Sequence, residues 1–225
     1  MPKLMQRVSY KFIQEDDDFT RKEYYETCGF HLEIGVNPLS DLGFGTIVWE
    51  AALALCQYFE KEEIRFWNKK VIELGAGTGI LSIVTALLGG DVTITDKPEL
   101  LKQIERNVSF NLSPSFKHHV KIRALAWGCD HILFPSDYDY ILGSDILYFY
   151  ENIPLILDTL LHLSNEKTII YFGSRMLYSR PLISNGYLIL SQYFETELVC
   201  RYKASDVNIY RMTRKTPTPG GLLHW

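Results

Sequence analysis

Short runs of apolar and β-branched residues alternate with longer amphipathic stretches through the middle of the chain. The short runs have the length and composition of buried strands, and the longer ones repeat apolar residues every three or four positions, as packed helices do. This alternation predicts an α/β fold with a mostly parallel sheet and helices on both faces. The predicted strands cover residues 70–74, 91–95, 120–124, 138–144 and 168–173, and the predicted helices cover residues 47–59, 80–88, 104–111, 153–163 and 181–193.

The pattern changes towards both ends of the chain. Two β-rich segments, 195–202 and 207–211, flank a polar turn and predict an antiparallel hairpin at the sheet edge, which makes seven strands in all. Residues 1–26 are polar and predict a loose N-terminal lead-in, an extension of the fold. Residues 215–225 contain a Thr-Pro-Thr-Pro-Gly-Gly run and predict a flexible tail. Residues 27–214 are therefore expected to form a single domain.

Composition narrows the possible partners. The 225 residues are 47% hydrophobic and carry a net charge of -4, which argues against a nucleic-acid partner because phosphate binding needs a basic surplus. No apolar run reaches the ~18 residues needed to span a bilayer and the N-terminus lacks the apolar core of a signal peptide, so we expect no membrane partner and a cytoplasmic or nuclear location. The four scattered cysteines predict reduced thiols. Cys129, His131 and the pair His118-His119 lack the spacing of a zinc site, so no metal is expected.

The most informative motif joins the first predicted strand to a helix. Residues 73–79 read ELGAGTG, and Asp96 ends the next strand. Glycines let the backbone approach a ligand at the carboxyl edge of a parallel sheet, and a carboxylate at the end of the second strand can bind ribose hydroxyls. The acidic Glu73 would disfavour a pyrophosphate and favour a sulfonium, which indicates S-adenosylmethionine rather than a dinucleotide. Two simpler interpretations stay open, a glycine turn with no ligand and Asp96 as a helix cap.

A second group of polar and aromatic residues is predicted at the same edge. Ser144, Asp145 and Tyr148 follow the fourth strand, and Trp127 follows the third. Trp49 lies on the helix over residues 47–59, which we expect to pack over this end of the sheet like a lid. Polar groups and aromatic rings would then converge on one crevice, although each of these residues could instead cap a helix or pack in the core.

Four runs together resemble a known family. They are VIELGAGTG (71–79), VTITD (92–96), LAWG (125–128) and DILY (145–148). This order is similar to that of the seven-β-strand, Rossmann-like protein-lysine methyltransferases marked by a D-x-x-Y motif, in particular the methyltransferase-like 21 group. The runs at 89–96, 123–131 and 208–211 resemble the branch that acts on translation elongation factor 1-alpha.

The resemblance implies specific roles. It implies a monomeric, S-adenosylmethionine-dependent enzyme whose protein substrate is elongation factor 1-alpha or an Hsp70-type chaperone, with a cytoplasmic and also a nuclear or centrosomal location. Asp145 and Tyr148 would form the lysine entrance and act in catalysis. Taken with the motif analysis, the residues expected to bind the cofactor are Trp49, Glu73, Gly75, Ala76, Gly77, Asp96, Trp127 and Ser144.

Methyl transfer to an amine is an in-line displacement that requires an uncharged, aligned nitrogen, so we expect Asp145 to orient the lysine and Tyr148 to offer a ring face to it. Two other functions stay open. One is a small-molecule or nucleic-acid methyltransferase on the same fold, although no Asn/Asp-Pro-Pro-Tyr motif is present. The other is a non-catalytic scaffold that keeps the shape of the cofactor site.

Overall fold

The chain folds into a large sheet of seven strands and a small sheet of three. The computed structural model describes residues 7–12, 21–176 and 180–216, so residues 217–225 of the tail predicted over residues 215–225 lie outside them. The small sheet contains β1 (Arg7–Phe12), β2 (Arg21–Thr27) and β3 (Phe30–Val36). The large sheet contains β4 (Lys70–Leu74), β5 (Asp91–Asp96), β6 (Val120–Ala124), β7 (Tyr140–Ser144), β8 (Ile169–Arg175), β9 (Phe194–Tyr202) and β10 (Val207–Arg214).

The predicted strand architecture is confirmed. The order across the large sheet is β6-β5-β4-β7-β8-β10-β9, in which β10 pairs antiparallel with both β8 and β9 and all the other neighbours are parallel. The chain order reverses between β4 and β7, and at such a point the loops diverge and open a crevice at the carboxyl ends of the strands.

The helices divide between the two faces of the large sheet. They are α1 (Glu50–Lys61), α2 (Ile80–Leu87), α3 (Leu101–Asn111), the short α4 (Pro114–Lys117), α5 (Asn152–Leu163) and α6 (Arg180–Leu190). One apolar core joins α1, α2, α3 and the small sheet to one face, and a second core joins α5 and α6 to the other. Successive residues of β4 alternate between the two cores, since Val71 belongs to the first and Ile72 to the second.

Two expectations about the N-terminal part of the chain are wrong. Residues 7–12 and 21–26 are not a loose lead-in, because β1, β2 and β3 form an antiparallel sheet. The inward positions of β2 are Glu23, Tyr25 and Thr27, all buried, so the strand lacks the aliphatic alternation that would have identified it. The helix predicted over residues 47–59 also starts later than expected. It begins at Glu50, and α1 packs against β8, β10 and α2 with most of its side chains buried.

Candidate active site

A cavity of about 740 Å³ opens at the carboxyl ends of β4, β5 and β7. This volume lies within the range of about 300–1,000 Å³ of sites for small organic ligands. Nine of the ten residues predicted for the site line it, and they come from the turns after four strands and from the segment before α1. They are Trp49, Gly75, Ala76, Gly77, Asp96, Trp127, Ser144, Asp145 and Tyr148.

The glycine turn after β4 forms the floor of the cavity. Gly75 has a φ of 62° and Gly77 has a φ of 58°, in the left-handed region that suits glycine. A Cβ at Gly75 would lie 3.0 Å from Cγ2 of Ile146 and 3.1 Å from Cζ2 of Trp127. The backbone at Gly75 therefore lies directly against the Trp127 indole, and any larger residue would push that ring out of place.

Asp96 joins the end of β5 to the glycine turn. Its Oδ2 accepts a 2.7 Å hydrogen bond from the Gly77 N–H and its Oδ1 accepts one of 2.7 Å from the Lys97 N–H. Burial raises the pKa of this carboxyl, while the two backbone donors act in the opposite direction. The hydrogen bonds fix the carboxylate in one orientation, and its remaining lone pairs can accept hydrogen bonds from a hydroxylated ligand.

Glu73 does not belong to the cavity, contrary to the sequence prediction. Its side chain is fully buried on the face of β4 that α2 covers, where it makes a short hydrogen bond with the Ser82 hydroxyl. Burial raises the pKa of Glu73 to about 8, so the group is mostly protonated at neutral pH. A neutral acid beneath α2 cannot attract a cationic sulfur, so Glu73 gives the cavity no preference for a sulfonium, contrary to the sequence prediction.

Asp145 follows β7 in a left-handed backbone conformation, with a φ of 52°. Its Oδ1 accepts a 2.7 Å hydrogen bond from the Arg175 N–H, and its own N–H donates to the Gly173 carbonyl at 2.9 Å. Oδ2 is buried and accepts no hydrogen bond of normal geometry from the part of the chain that the structure describes. Burial raises the pKa of Asp145 to about 6, with the Arg175 and Ala51 N–H groups opposing and the Glu50 carboxylate adding to the rise.

Three aromatic rings form one wall of the cavity. The Phe44 ring makes edge contacts with the rings of Trp49 and Tyr148, at centroid separations of 5.9 and 6.3 Å. The Trp49 Nε1–H donates a 2.7 Å hydrogen bond to the Phe44 carbonyl, which fixes the indole beside the start of α1. Burial raises the pKa of Tyr148, and the Asp96 carboxylate adds to this rise, so the phenol stays neutral at physiological pH.

Sequence reasoning missed three residues that shape the site. Phe44 completes the aromatic wall, and Arg175 holds Asp145 through its backbone N–H. Asn107 of α3 is fully buried, and its Nδ2 donates to the Thr78 carbonyl of the glycine turn at 2.9 Å. Asn107 and Asn111 stand one helical turn apart, and this spacing of two amides on a buried helix face was the signal available in the sequence.

The arrangement combines a nucleoside-type site with a place for a cationic or amine-bearing group. Asp96 and the glycine turn lie at one end of the cavity wall, and Asp145 with its unsatisfied oxygen lies among Ser144 and Tyr148. Within the described residues, no group of three or more His, Cys, Asp or Glu side chains could hold a metal ion. The helices formed by residues 50–61 through 180–190 are each too short or too polar to cross a membrane.

Comparisons with known proteins found a matching family and similar sequences. The profile of a family described as lysine methyltransferase matches residues 31–182. A Xenopus tropicalis protein named EEF1A lysine methyltransferase 3 is 45% identical over 198 residues, which are 88% of this chain and 88% of the relative. The Xenopus tropicalis protein N-lysine methyltransferase METTL21A is 44% identical over 171 residues, 76% of this chain and 78% of that one.

Solved structures show the same fold at low sequence identity. The protein SMU.776, described as a putative methyltransferase complexed with SAH, superposes with a TM-score of 0.63 at 11% identity, covering 90% of this chain and 58% of that chain. The ribosomal protein L11 methylase of Lactobacillus delbrueckii subsp. bulgaricus gives a TM-score of 0.53 at 20% identity, covering 74% of this chain and 78% of that one.

Proposed function

This chain belongs to the lysine methyltransferase family, and on that premise we propose that it transfers a methyl group from S-adenosylmethionine to a lysine of translation elongation factor 1-alpha. The observation that carries the proposal is the single cavity that Asp96, Asp145 and Tyr148 share. The choice of substrate is supported by the 45% identity, over 88% of both chains, to the relative named for elongation factor 1-alpha. We propose a cytoplasmic location, where such a factor would be met.

The residues present fit S-adenosylmethionine. The Asp96 carboxylate keeps free lone pairs for ribose hydroxyls, and the glycine turn brings the backbone of Gly75 and Gly77 to the cavity surface. Trp127 and Trp49 offer indole rings at its walls. When bound, S-adenosylmethionine supplies an electrophilic methyl group on a positively charged sulfur.

Asp145 would receive the lysine. Its Oδ1 is held by the Arg175 N–H, which fixes the carboxylate at the cavity wall, where it can attract the incoming nitrogen. With a pKa of about 6 the carboxyl is ionised at pH 7.5, and it therefore attracts an ammonium group. We assign Asp145 the role of orienting the nitrogen rather than that of a dedicated base.

Removal of the lysine proton is favoured by the surroundings of the site. A free lysine has a pKa near ~10.4, and apolar surroundings lower it because they penalise the charged form. Tyr148, Phe44 and Trp49 form such a wall beside Asp145. The opposing effects of carboxylate and apolar wall would let the cation enter and then lose its proton to solvent.

The test uses the full chain with methyl-labelled S-adenosylmethionine and, in separate reactions, purified elongation factor 1-alpha and a purified Hsp70-type chaperone. We expect label on one lysine of the elongation factor, located by mass spectrometry, and none on the chaperone. The variant Asp145→Ala should lose transfer while Asp137→Ala, an exposed aspartate before β7 that pairs with Lys70, should keep it. Label on the chaperone alone would show that the chaperone, and not the elongation factor, is the substrate. Label on neither protein would refute the proposal.

A further inference from the structure

A second cavity, of about 300 Å³, lies between the small sheet and the start of α1. Its polar lining comes from Arg7 of β1, from Arg21, Glu23 and Tyr25 of β2, and from Glu50 of α1. We call it the arginine cavity. It is separate from the strand-end cavity described above and contains none of the residues assigned to the cofactor or to the lysine.

Two guanidinium groups of the arginine cavity share one buried carboxylate. Glu23 is buried, and its Oε1 accepts from both Arg7 Nη1 at 2.6 Å and Arg21 Nη2 at 2.5 Å. Its Oε2 accepts from the Tyr25 hydroxyl at 2.5 Å, so this carboxylate already has three donors. Two guanidinium groups thus face one carboxylate that already accepts three hydrogen bonds.

The other acidic residue of the lining is already neutralised. The Glu50 carboxylate makes a 3.0 Å ion pair with Arg175, a residue of the strand-end cavity. The Nε–H of Arg21 is buried and has no acceptor among the described residues. With Arg175 included, three guanidinium groups face two carboxylates, and the accessible parts of Arg7 and Arg21, 39% and 26% of their side chains, can contact a ligand.

The two arginines are held in place rather than free to swing into solvent. Their guanidinium carbons lie 4.8 Å (Arg7) and 5.6 Å (Arg21) from the centre of the Tyr10 ring. Stacking on an aromatic ring and pairing with Glu23 reduce the conformational freedom that would be lost on binding. A guanidinium group can donate two parallel hydrogen bonds to a carboxylate, so an acidic side chain is the protein group that suits it best.

The arginine cavity lies directly beside the active site. Ile47 lines both cavities, and Glu50 connects them because its partner Arg175 holds Asp145 through the backbone N–H. The two cavities meet at Ile47, so one protein substrate can contact both.

We propose that the arginine cavity is a second binding site for the protein substrate and takes an acidic side chain close to the methylated lysine. This inference rests on the proposed function, because it presumes a protein with a lysine in the active site. The small sheet would then contribute to substrate specificity. A basic side chain would be repelled there by Arg7 and Arg21.

Steady-state kinetics with purified elongation factor 1-alpha test the proposal. The variants Arg21→Gln and Arg7→Gln should each raise KM for the protein substrate about tenfold, as expected for the loss of a charged hydrogen bond. Neither should change kcat or the dissociation constant of S-adenosylmethionine by more than about twofold. Lys22→Gln is the matched control, because it removes the same charge from the opposite face of β2, where Lys22 pairs with Glu33.

Stability is measured alongside, because Arg21 neutralises a buried carboxylate. Arg7 is the more exposed of the two, with 39% of its side chain accessible, so Arg7→Gln keeps the test valid if Arg21→Gln unfolds. In a second measurement, Arg21→Glu should lose activity on the natural substrate. It should regain activity on a substrate in which an acidic residue beside the methylated lysine is replaced by lysine.

The outcomes separate this inference from the proposed function. Wild-type KM in both glutamine variants, or a fall in kcat with unchanged KM, would overturn the arginine cavity while leaving the methyltransferase activity intact. An increase in KM as large in Lys22→Gln would also overturn it, because the effect would then reflect net charge. A wild-type enzyme that methylates no protein would refute both.

Discussion

The backbone N–H of Gly77 donates a 2.7 Å hydrogen bond to Oδ2 of Asp96, so the turn after β4 and the end of β5 meet at one carboxylate. The Lys97 N–H binds the other oxygen of the same group. Asp96 is therefore fixed by the backbone of two strands before any ligand arrives. Such preorganisation avoids an entropic cost at the moment of binding.

Replacement of this carboxylate should weaken cofactor binding. In Asp96→Asn, an amide group must face one of the two backbone N–H donors, and the negative charge is lost. We expect the dissociation constant of S-adenosylmethionine to rise about 10- to 100-fold, measured by isothermal titration calorimetry. Asp91→Asn is the control, because Asp91 begins the same strand and pairs with His119 on the exposed surface of the protein. Equal affinity in the two variants would contradict the assigned role.

The variant Asp145→Asn should be more stable than the wild type but less active. Because burial raises the pKa of Asp145 to about 6, the folded state binds this proton more tightly than the unfolded chain does. The free energy of unfolding therefore falls as pH rises from about 4 to 6, and above that range the ionised carboxylate destabilises the fold. The amide keeps an acceptor for the Arg175 N–H, so we expect the variant to be about 1–3 kcal/mol more stable at pH 7.5 by urea unfolding.

Methyl transfer by the same Asp145→Asn variant should fall at least about tenfold, because the orienting charge is lost. The binding of S-adenosylmethionine should change little. Full activity together with raised stability would exclude Asp145 from the reaction.

We expect Glu73 to make the stability of the folded protein depend on pH. The pKa of this buried carboxyl is raised to about 8, so wild-type stability should decrease as pH rises from about 5 to 8. Glu73→Gln keeps a partner for the Ser82 hydroxyl but cannot ionise. Thermal unfolding of the variant should match the wild type near pH 5 and exceed it by several degrees at pH 8.5. Parallel curves for the two proteins would show that Glu73 is ionised in the fold.

Tyr148 is expected to act through its ring rather than its hydroxyl. Burial and the Asp96 carboxylate keep the phenol neutral, and the ring contacts Phe44 at the aromatic wall. Tyr148→Phe should keep kcat/KM within about threefold of the wild type, whereas Tyr148→Ala should lower it at least about tenfold. If the phenylalanine variant were as slow as the alanine variant, the hydroxyl would have to take part in the reaction.

The sequence predicted the central strands β4, β5 and β7 well because they are buried on both sides. The apolar runs of β4, β5 and β7 have few alternative structures, and their observed limits differ from the predicted ones by at most two residues. The small sheet could not be found in this way. The inner face of β2 carries Glu23, which is compatible with burial only because Arg7 and Arg21 reach it from two strands.

The sequence placed most residues of the candidate site correctly but not all of them. The carboxyl ends of parallel strands meet, so the association of Gly75, Asp96 and Asp145 followed from the fold class. Glu73 was misplaced, although it is two residues from Val71 and therefore points to the same core. The left-handed backbone of Asp145 and its bond to Arg175 depend on long-range packing that no local pattern records.

The two asparagines of α3 also determine how the small sheet ends. Asn107 accepts from the Gly35 N–H and donates to the Gly35 carbonyl, and Asn111 does the same at Glu33. Their amides form the hydrogen bonds that a neighbouring strand would otherwise form with the outer edge of β3. An uncovered edge of this kind invites pairing with another chain and aggregation. Asn107 and Asn111 thus occupy the backbone groups of Glu33 and Gly35 that another strand would need in order to pair with β3.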